Sequence, residues 1–276
     1  MSRLAPKGIL DYDEALRHLR IHRTAPPQDL ADLVECHWEV TWDLPAGMVH
    51  RQRNLSHASV TLTWESDGAW VYGVPGKVFT RESSGSGWAF GVKFRSGAAR
   101  AFFPTLPIAD LTGLRAPLRE LVSPGLAIEG ISDRAADFSE RVALANGFCR
   151  SLRKGRAAPA SVQLATYIES DRSLLRAETV AEKAGVSLRE LQRLFRFEVG
   201  ITPKETIRRF RLQQAADRIQ ADHDISCLRL ALELGYFDQA HFARDFSAVV
   251  GTSPDAYRKR VRKASILGAR DSRQRP

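Results

Sequence analysis

The stretch "GVSLRELQRLFRFEVGITP", residues 185–203, has a counterpart further along, "GYFDQAHFARDFSAVVGTSP", residues 235–254. Setting Leu191 against Phe242 brings Phe195 onto Phe246, Gly200 onto Gly251 and Pro203 onto Pro254. Upstream, Ala181 and Gly185 meet Ala231 and Gly235, with one extra residue in the loop after the second turn glycine. Six matches at nearly constant spacing mark an internal repeat. Each copy reads helix, glycine turn, helix, then a glycine and a proline that opens another helix. Ser187 with Glu190 forms a capping-box signature, Asp238 is the expected cap of the second copy, and Thr202-Pro203 and Ser253-Pro254 are helix starts.

A helix, a tight glycine turn and a second helix that buries one face and presents the other is the helix-turn-helix layout. In the first copy, helix 187–198 buries Leu188, Leu191, Leu194 and Phe195. Its outward side carries Arg189, Gln192, Arg193 and Arg196, with Ser187 at its head. Arg and Gln suit guanine and adenine edges in a major groove. In helix 238–248, Phe242 and Phe246 are buried, and Gln239, Ala240, His241 and Arg244 face out. A polar outer face is more often just solvated, so one copy alone would be weak ground. The repeat changes that. The helix from about Pro203 to Gln220 is a strut of roughly 27 Å at 1.5 Å per residue, comparable with the roughly 34 Å of one DNA turn. Two readers could then meet consecutive groove segments. Arg208, Arg209 and Arg211 on the strut, and Arg258, Lys259, Arg260, Arg262 and Lys263 after it, are candidate phosphate contacts.

Charge agrees. The 276 residues carry a net +9, split as +2 over residues 1–155 and +7 over 156–276. Such an excess favours an anionic partner, nucleic acid ahead of a membrane surface. The basic, Gly/Ala/Pro-rich "RKGRAAPAS" marks a boundary between a first domain, 1–155, and a second, 156–276, with a basic tail.

The first domain alternates. Val34, Cys36, Trp38, Val40 and Trp42 interleave with Glu35, His37, Glu39 and Thr41, a half-buried strand; "SVTLTW" (59–64) and "WAFGVKF" (88–94) repeat the pattern. An antiparallel sheet curled over one core is expected, barrel-like and flanked by helices. "DEALRHLRIH" reads as a short amphipathic piece. Residues 132–154 read as a helix with Phe138, Val142, Ala145, Cys149 and Leu152 on one face. That face packs on its own sheet or on a second subunit. The fold class is α+β in two domains, the second all-α with two helix-turn-helix units joined by a linker helix.

With "AGVS", "LQRLF", "GITP" and "LGYFDQAHFARDF…GTSP..YR" in place, residues 161–261 resemble the AraC/XylS family of bacterial transcription regulators. The resemblance implies a seven-helix DNA-binding domain. The family's base-contacting positions fall on Arg189, Gln192 and Arg193, and on Gln239, Ala240, His241 and Arg244. "VECHWEV" and "GVKFRSGAARAFF" resemble a small β domain that precedes this module in some relatives and is taken to sense ligands or mediate self-association.

Nothing reads as catalytic. Nucleophile motifs are absent. Three scattered cysteines make no zinc site or disulfide framework, His18 and His22 lack a third ligand, and no metal or cofactor is expected. No window reaches 18 apolar residues, so a membrane span or a secretory leader is not expected, and the place is the cytoplasm, on the nucleoid when DNA-bound. Trp38, Trp42, Trp64, Trp88 and Phe90 line either an effector pocket or an ordinary core. Double-stranded DNA is the partner; RNA polymerase, a small effector and a second copy of the chain stay open beside it. The competing readings are a ligand-binding protein or enzyme that borrows the helices for interaction, and a nonspecific architectural DNA binder.

Overall fold

Pairing between distant strands, which no local pattern announces, sets the first half. The computed structural model describes residue 10 and residues 12–55, 57–76, 78–123, 129–133, 136–171 and 173–271. It runs α1 (Tyr12–His18), β1 (Leu19–Thr24), β2 (Val34–Asp43), β3 (Val49–Asn54), β4 (Thr61–Glu65), β5 (Gly68–Tyr72), β6 (Phe79–Ser84) and β7 (Ser86–Phe94). Then come α2 (Ala99–Phe102), a 3-10 turn at Ile108–Leu111, β8 (Arg115–Pro117), α3 (Leu118–Leu121) and α4 (Phe138–Arg153). Six strands make one antiparallel sheet in the order β1-β2-β7-β4-β5-β8, and β3 pairs with β6 as a separate ribbon. The sheet stays open, because β1 and β8 are its two edges, so the barrel-like expectation is corrected. "DEALRHLRIH" is corrected too: the helix stops at His18, and Leu19 pairs with Trp42 at the start of an edge strand.

The helix expected over 132–154 starts later. Asp137 caps α4, accepting from the Glu140 amide while Glu140 reaches back to the Asp137 amide; residues 134 and 135 lie outside the described residues. Ala145, Phe148, Cys149 and Leu152 sink into one core with Trp64, Phe90, Val92 and Phe94. The apolar face of α4 therefore packs on its own sheet.

That packing inverts β2. Trp38, Val40 and Trp42 were expected inward, yet they are only half-buried, while His37 and Glu39 are buried beneath α4. Glu39 accepts from Arg141 of α4 at 2.5 Å, with both side chains under a tenth exposed, and the Arg141 guanidinium lies 4.4 Å from the Trp88 ring. Both faces of the sheet are covered, one by α4 and one by the β3–β6 ribbon, so alternation does not separate inside from outside.

Seven helices follow among the described residues: α5 (Ala160–Ser170), α6 (Ala177–Ala184), α7 (Leu188–Glu198), α8 (Pro203–Ala221), α9 (Cys227–Glu233), α10 (Gln239–Val250) and α11 (Pro254–Asp271). They hold two cores, one per copy of the repeat, sharing α8. The sheet half plugs both. Ala58 and Val74 enter the first core, while Leu10 and Leu55 enter the second, with Val78 against it. A Cβ on Gly200 would fall 2.9 Å from Ile108, and its φ of +96° already excludes most side chains, so glycine is what lets the 108–111 turn close on the end of α7. Thr112 Oγ1 donates to the Gly200 carbonyl there at 2.8 Å.

Candidate nucleic-acid interface

Each reader is set by its cap. The Glu190 amide donates to Ser187 Oγ at 3.3 Å, and the Ser187 amide donates to the Glu190 carboxylate at 2.8 Å. That carboxylate also accepts from the Ser187 hydroxyl at 2.6 Å, and these bonds hold Glu190 below its usual range. Ser187 is thus already engaged in starting α7. Asp238 caps α10 by accepting from the His241 amide at 2.6 Å. Leu191 and Phe195 in α7, and Phe242 and Phe246 in α10, are fully buried. Arg189, Gln192, Arg193 and Arg196 are exposed on one helix, and Gln239, Ala240, His241 and Arg244 on the other. Both of these faces point to solvent. The first lines a shallow cleft against Pro107 and Ala109, so the sheet half stands beside it.

The strut departs from expectation. At 19 residues α8 spans about 28 Å, but it is the shared centre of two cores, and Arg208, Arg209 and Arg211 are engaged within the fold, Arg209 buried and the other two half-buried. Arg209 is 3 % exposed, donates to Glu205 at 2.8 Å and to the Pro75 carbonyl at 2.7 Å, and cannot reach a phosphate. Arg208 bridges Glu205 and Asp245 of α10 at 2.9 and 3.3 Å. Arg211 donates to the Leu234 carbonyl and lies 4.3 Å from the Tyr236 ring. Tyr236 in turn donates to Asp245 at 3.2 Å. These arginines fix the second reader and the sheet half to the strut. In α11, Arg258 pairs with Asp255 at 3.3 Å; Arg262 is paired with Asp224 at 3.8 Å, and Arg260 lies 5.8 Å from the Tyr257 ring. Lys259 and Lys263 are exposed. Residues 272–276 of the basic tail lie outside the described residues.

A helix-turn-helix domain family matches residues 180–260, which spans both units. A domain of unknown function, DUF6597, matches residues 22–117, which spans β1 to β8. The probable transcription factor PqrA of Proteus vulgaris is 38% identical over 85 residues, 31% of this chain and 69% of that protein. The regulatory protein SoxS of Salmonella typhimurium is 36% identical over 87 residues, 32% of this chain and 80% of that protein. The chain belongs to the AraC/XylS family of transcription regulators. Among solved structures, the C-terminal domain of AraT from Geobacillus stearothermophilus is 29% identical, covering 38% of this chain and 88% of that one at a TM-score of 0.35. ToxT from Vibrio cholerae is 11% identical, covering 88% and 97% at a TM-score of 0.41.

Ahead of the AraC/XylS-type helices, a cavity of about 500 Å³ lies between the sheet and the β3–β6 ribbon. Of the five aromatics named from the sequence, Trp38 and Trp42 line it. Trp64 and Phe90 are fully buried on the opposite face beneath α4, and Trp88 packs against that same core. Strand parity decides this: Trp64 and Phe90 are paired neighbours on β4 and β7 and share the α4 face. The indoles of Trp38 and Trp42 lie over Gly91 and Gly87 of β7, where a Cβ would fall 2.4 and 2.3 Å from the rings. The two indoles form the sheet-side floor of the cavity.

Ion clusters stand at two places in the cavity wall. At one, Glu65 meets Arg81 at 2.8 Å and accepts from the Tyr72 hydroxyl at 3.0 Å, with Arg115 donating to that hydroxyl at 2.9 Å. At the other, Lys93 pairs with Glu35 at 2.9 Å. Burial pushes Glu35 up, but Lys93, then His57 and Arg23, hold it below its usual range. The sequence missed Leu55 and Val78, which line this cavity and also touch the core of the second reader; neither carries a motif. Cys36, Cys149 and Cys227 are free and buried, and burial pushes the Cys149 thiol up to about 12. Among the described residues no cluster of three metal-ligating side chains forms, and no helix is long and apolar enough to cross a membrane.

Proposed function

We propose that this regulator reads two consecutive major-groove segments of one DNA duplex. α7 uses Arg189, Gln192, Arg193 and Arg196; α10 uses Gln239, Ala240, His241 and Arg244. The observation that carries this is the outward, solvent-facing placement of both sets on capped helices tied to one strut. N-terminal residues of a recognition helix meet base edges, and the spacing of two readers sets the spacing of half-sites. Lys259 and Lys263 are the phosphate contacts on α11, with Arg258 free to exchange Asp255 for a phosphate. The labour divides at about Gly155, with residues 1–155 sensing and 156–276 reading. The chain acts on DNA in the cytoplasm and carries out no catalysis.

The sensed molecule is a small, largely apolar effector that lies on the Trp38–Trp42 floor. Supporting this, Leu55 and Val78 reach from the cavity wall to the second reader's core, so occupancy bears on that unit. The α4 face once open to a second copy is taken by the sheet, so self-association has to use another surface.

Arg193→Ala and Arg244→Ala test the reading by titration of DNA sites selected with the wild-type protein. Each is expected to cost about 1–3 kcal/mol, with relaxed specificity in a different segment. Unchanged binding by both variants would overturn it.

A further inference from the structure

The repeat is not perfect, and its one extra residue has a consequence. The first unit passes from turn glycine to cap as Gly185-Val186-Ser187, the second as Gly235-Tyr236-Phe237-Asp238. An apolar residue just before a cap ordinarily folds back on the fourth helical residue and fixes the angle of entry. In the second unit Tyr236 does this. It is 4 % exposed, and its ring meets Phe242 edge-on at 5.3 Å. Phe237, one residue closer to the cap, is left with no interior to enter. It is 93 % exposed, against 39 % for Val186 in the first unit.

Single exposed apolar residues are common and need no explanation. What distinguishes Phe237 is its place. It directly precedes Asp238, the cap of α10, and so adjoins the turn that presents Gln239, Ala240 and His241. In this layout the start of the recognition helix is the part that enters the groove. The apolar group that the major groove displays is the 5-methyl of thymine. Cations and amides, which make up most of both recognition faces, gain nothing specific from that methyl; a phenyl ring does.

We propose that Phe237 is a DNA contact of the second reader, its ring packed against a thymine methyl at the edge of the segment that α10 reads. This rests on the assignment of α10 as a reader. Leu228 and Leu232, 50 % and 56 % exposed on α9, allow the contrary outcome, in which the ring serves a protein partner.

The test uses the full chain and a DNA site selected with it. Each thymine of the site is replaced in turn by deoxyuridine, which removes the methyl alone, and binding is followed by fluorescence anisotropy for wild type, Phe237→Ala and Arg244→Ala. Partial burial of the ring is expected to be worth about five- to tenfold in affinity. Phe237→Ala should lose that factor with an unchanged unfolding midpoint. One thymine replacement should weaken the wild type by a similar factor and leave Phe237→Ala unaffected, so the two losses do not multiply. The proposal is overturned if no thymine replacement affects the wild type, if the losses multiply, or if Phe237→Ala binds as wild type. Normal DNA binding with lost promoter activation would assign the ring to a protein partner instead. If Arg244→Ala also binds as wild type, the assignment of α10 itself has failed; if Arg244→Ala weakens binding while Phe237→Ala does not, only the methyl contact has.

Discussion

Arg209 separates a residue that holds the molecule together from one that holds DNA. Its guanidinium is buried and satisfies Glu205 and the Pro75 carbonyl at 2.8 and 2.7 Å. In Arg209→Ala the half-buried carbonyl loses its donor, a cost of about 1–3 kcal/mol for an acceptor left unpaired. The buried stem of the side chain adds about 2 kcal/mol at roughly 0.8 per methylene. Glu205 keeps Arg208 at 2.9 Å, so its charge is not orphaned and the larger penalty of a broken lone pair does not apply. The expected loss is about 3–5 kcal/mol, a fall in urea midpoint of roughly 1–2 M. Binding to DNA at several salt concentrations gives the second readout. Each lost phosphate contact flattens the slope of log K against log salt by about 0.9. Lys259→Ala should show that flattening with an unchanged midpoint; Arg209→Ala should show the midpoint shift with an unchanged slope. A flatter slope and a wild-type midpoint for Arg209→Ala would refute the reasoning.

Two further outcomes follow from the sheet half. Burial holds the His37 imidazole at about 4 rather than 6.5, so the unfolded chain takes up this proton first. Stability from this residue is complete above about pH 6.5, falls as pH drops, and levels off below about 4, for a total of roughly 3 kcal/mol; His37→Phe should remove that share from an unfolding series across pH, and an unchanged profile would contradict it. Gly91→Ala would place a Cβ 2.4 Å from the Trp38 indole. The ring must lift into the cavity, with a loss of about 1–3 kcal/mol and a changed tryptophan emission; a wild-type midpoint and spectrum would contradict the placement.

The helical half was legible because its rules are local. Leu191, Phe195, Gly200 and Pro203 sit at spacings that capping and helix periodicity dictate, and Phe242, Phe246, Gly251 and Pro254 repeat them. The sheet half was legible only where alternation was strong. β3 and β6 ("VHRQRN" and "FTRESS") are too polar to stand out and form through pairing with each other. β1 reads as helix until β2 claims it. The apolar side of β2 does not define its core side, because the ribbon covers Trp38 and Trp42 while α4 covers His37 and Glu39. The arginines of α8 looked like phosphate contacts because their partners are remote in sequence: Pro75 lies 134 residues from Arg209 and Asp245 lies 37 from Arg208. Trp64 and Phe90 were read with Trp38 and Trp42 as one group, yet strand parity sends them to opposite faces.

Selection of DNA sites from a random pool with the full chain, followed by footprinting of the winning sequence, tests the two-reader account most directly. The account predicts one asymmetric site with two preferred blocks, centred about one helical turn or roughly 10 base pairs apart. Both blocks should be protected on one side of the duplex by a single chain. A single block, a pair of blocks that bind equally well at any spacing, or no enrichment at all would contradict it.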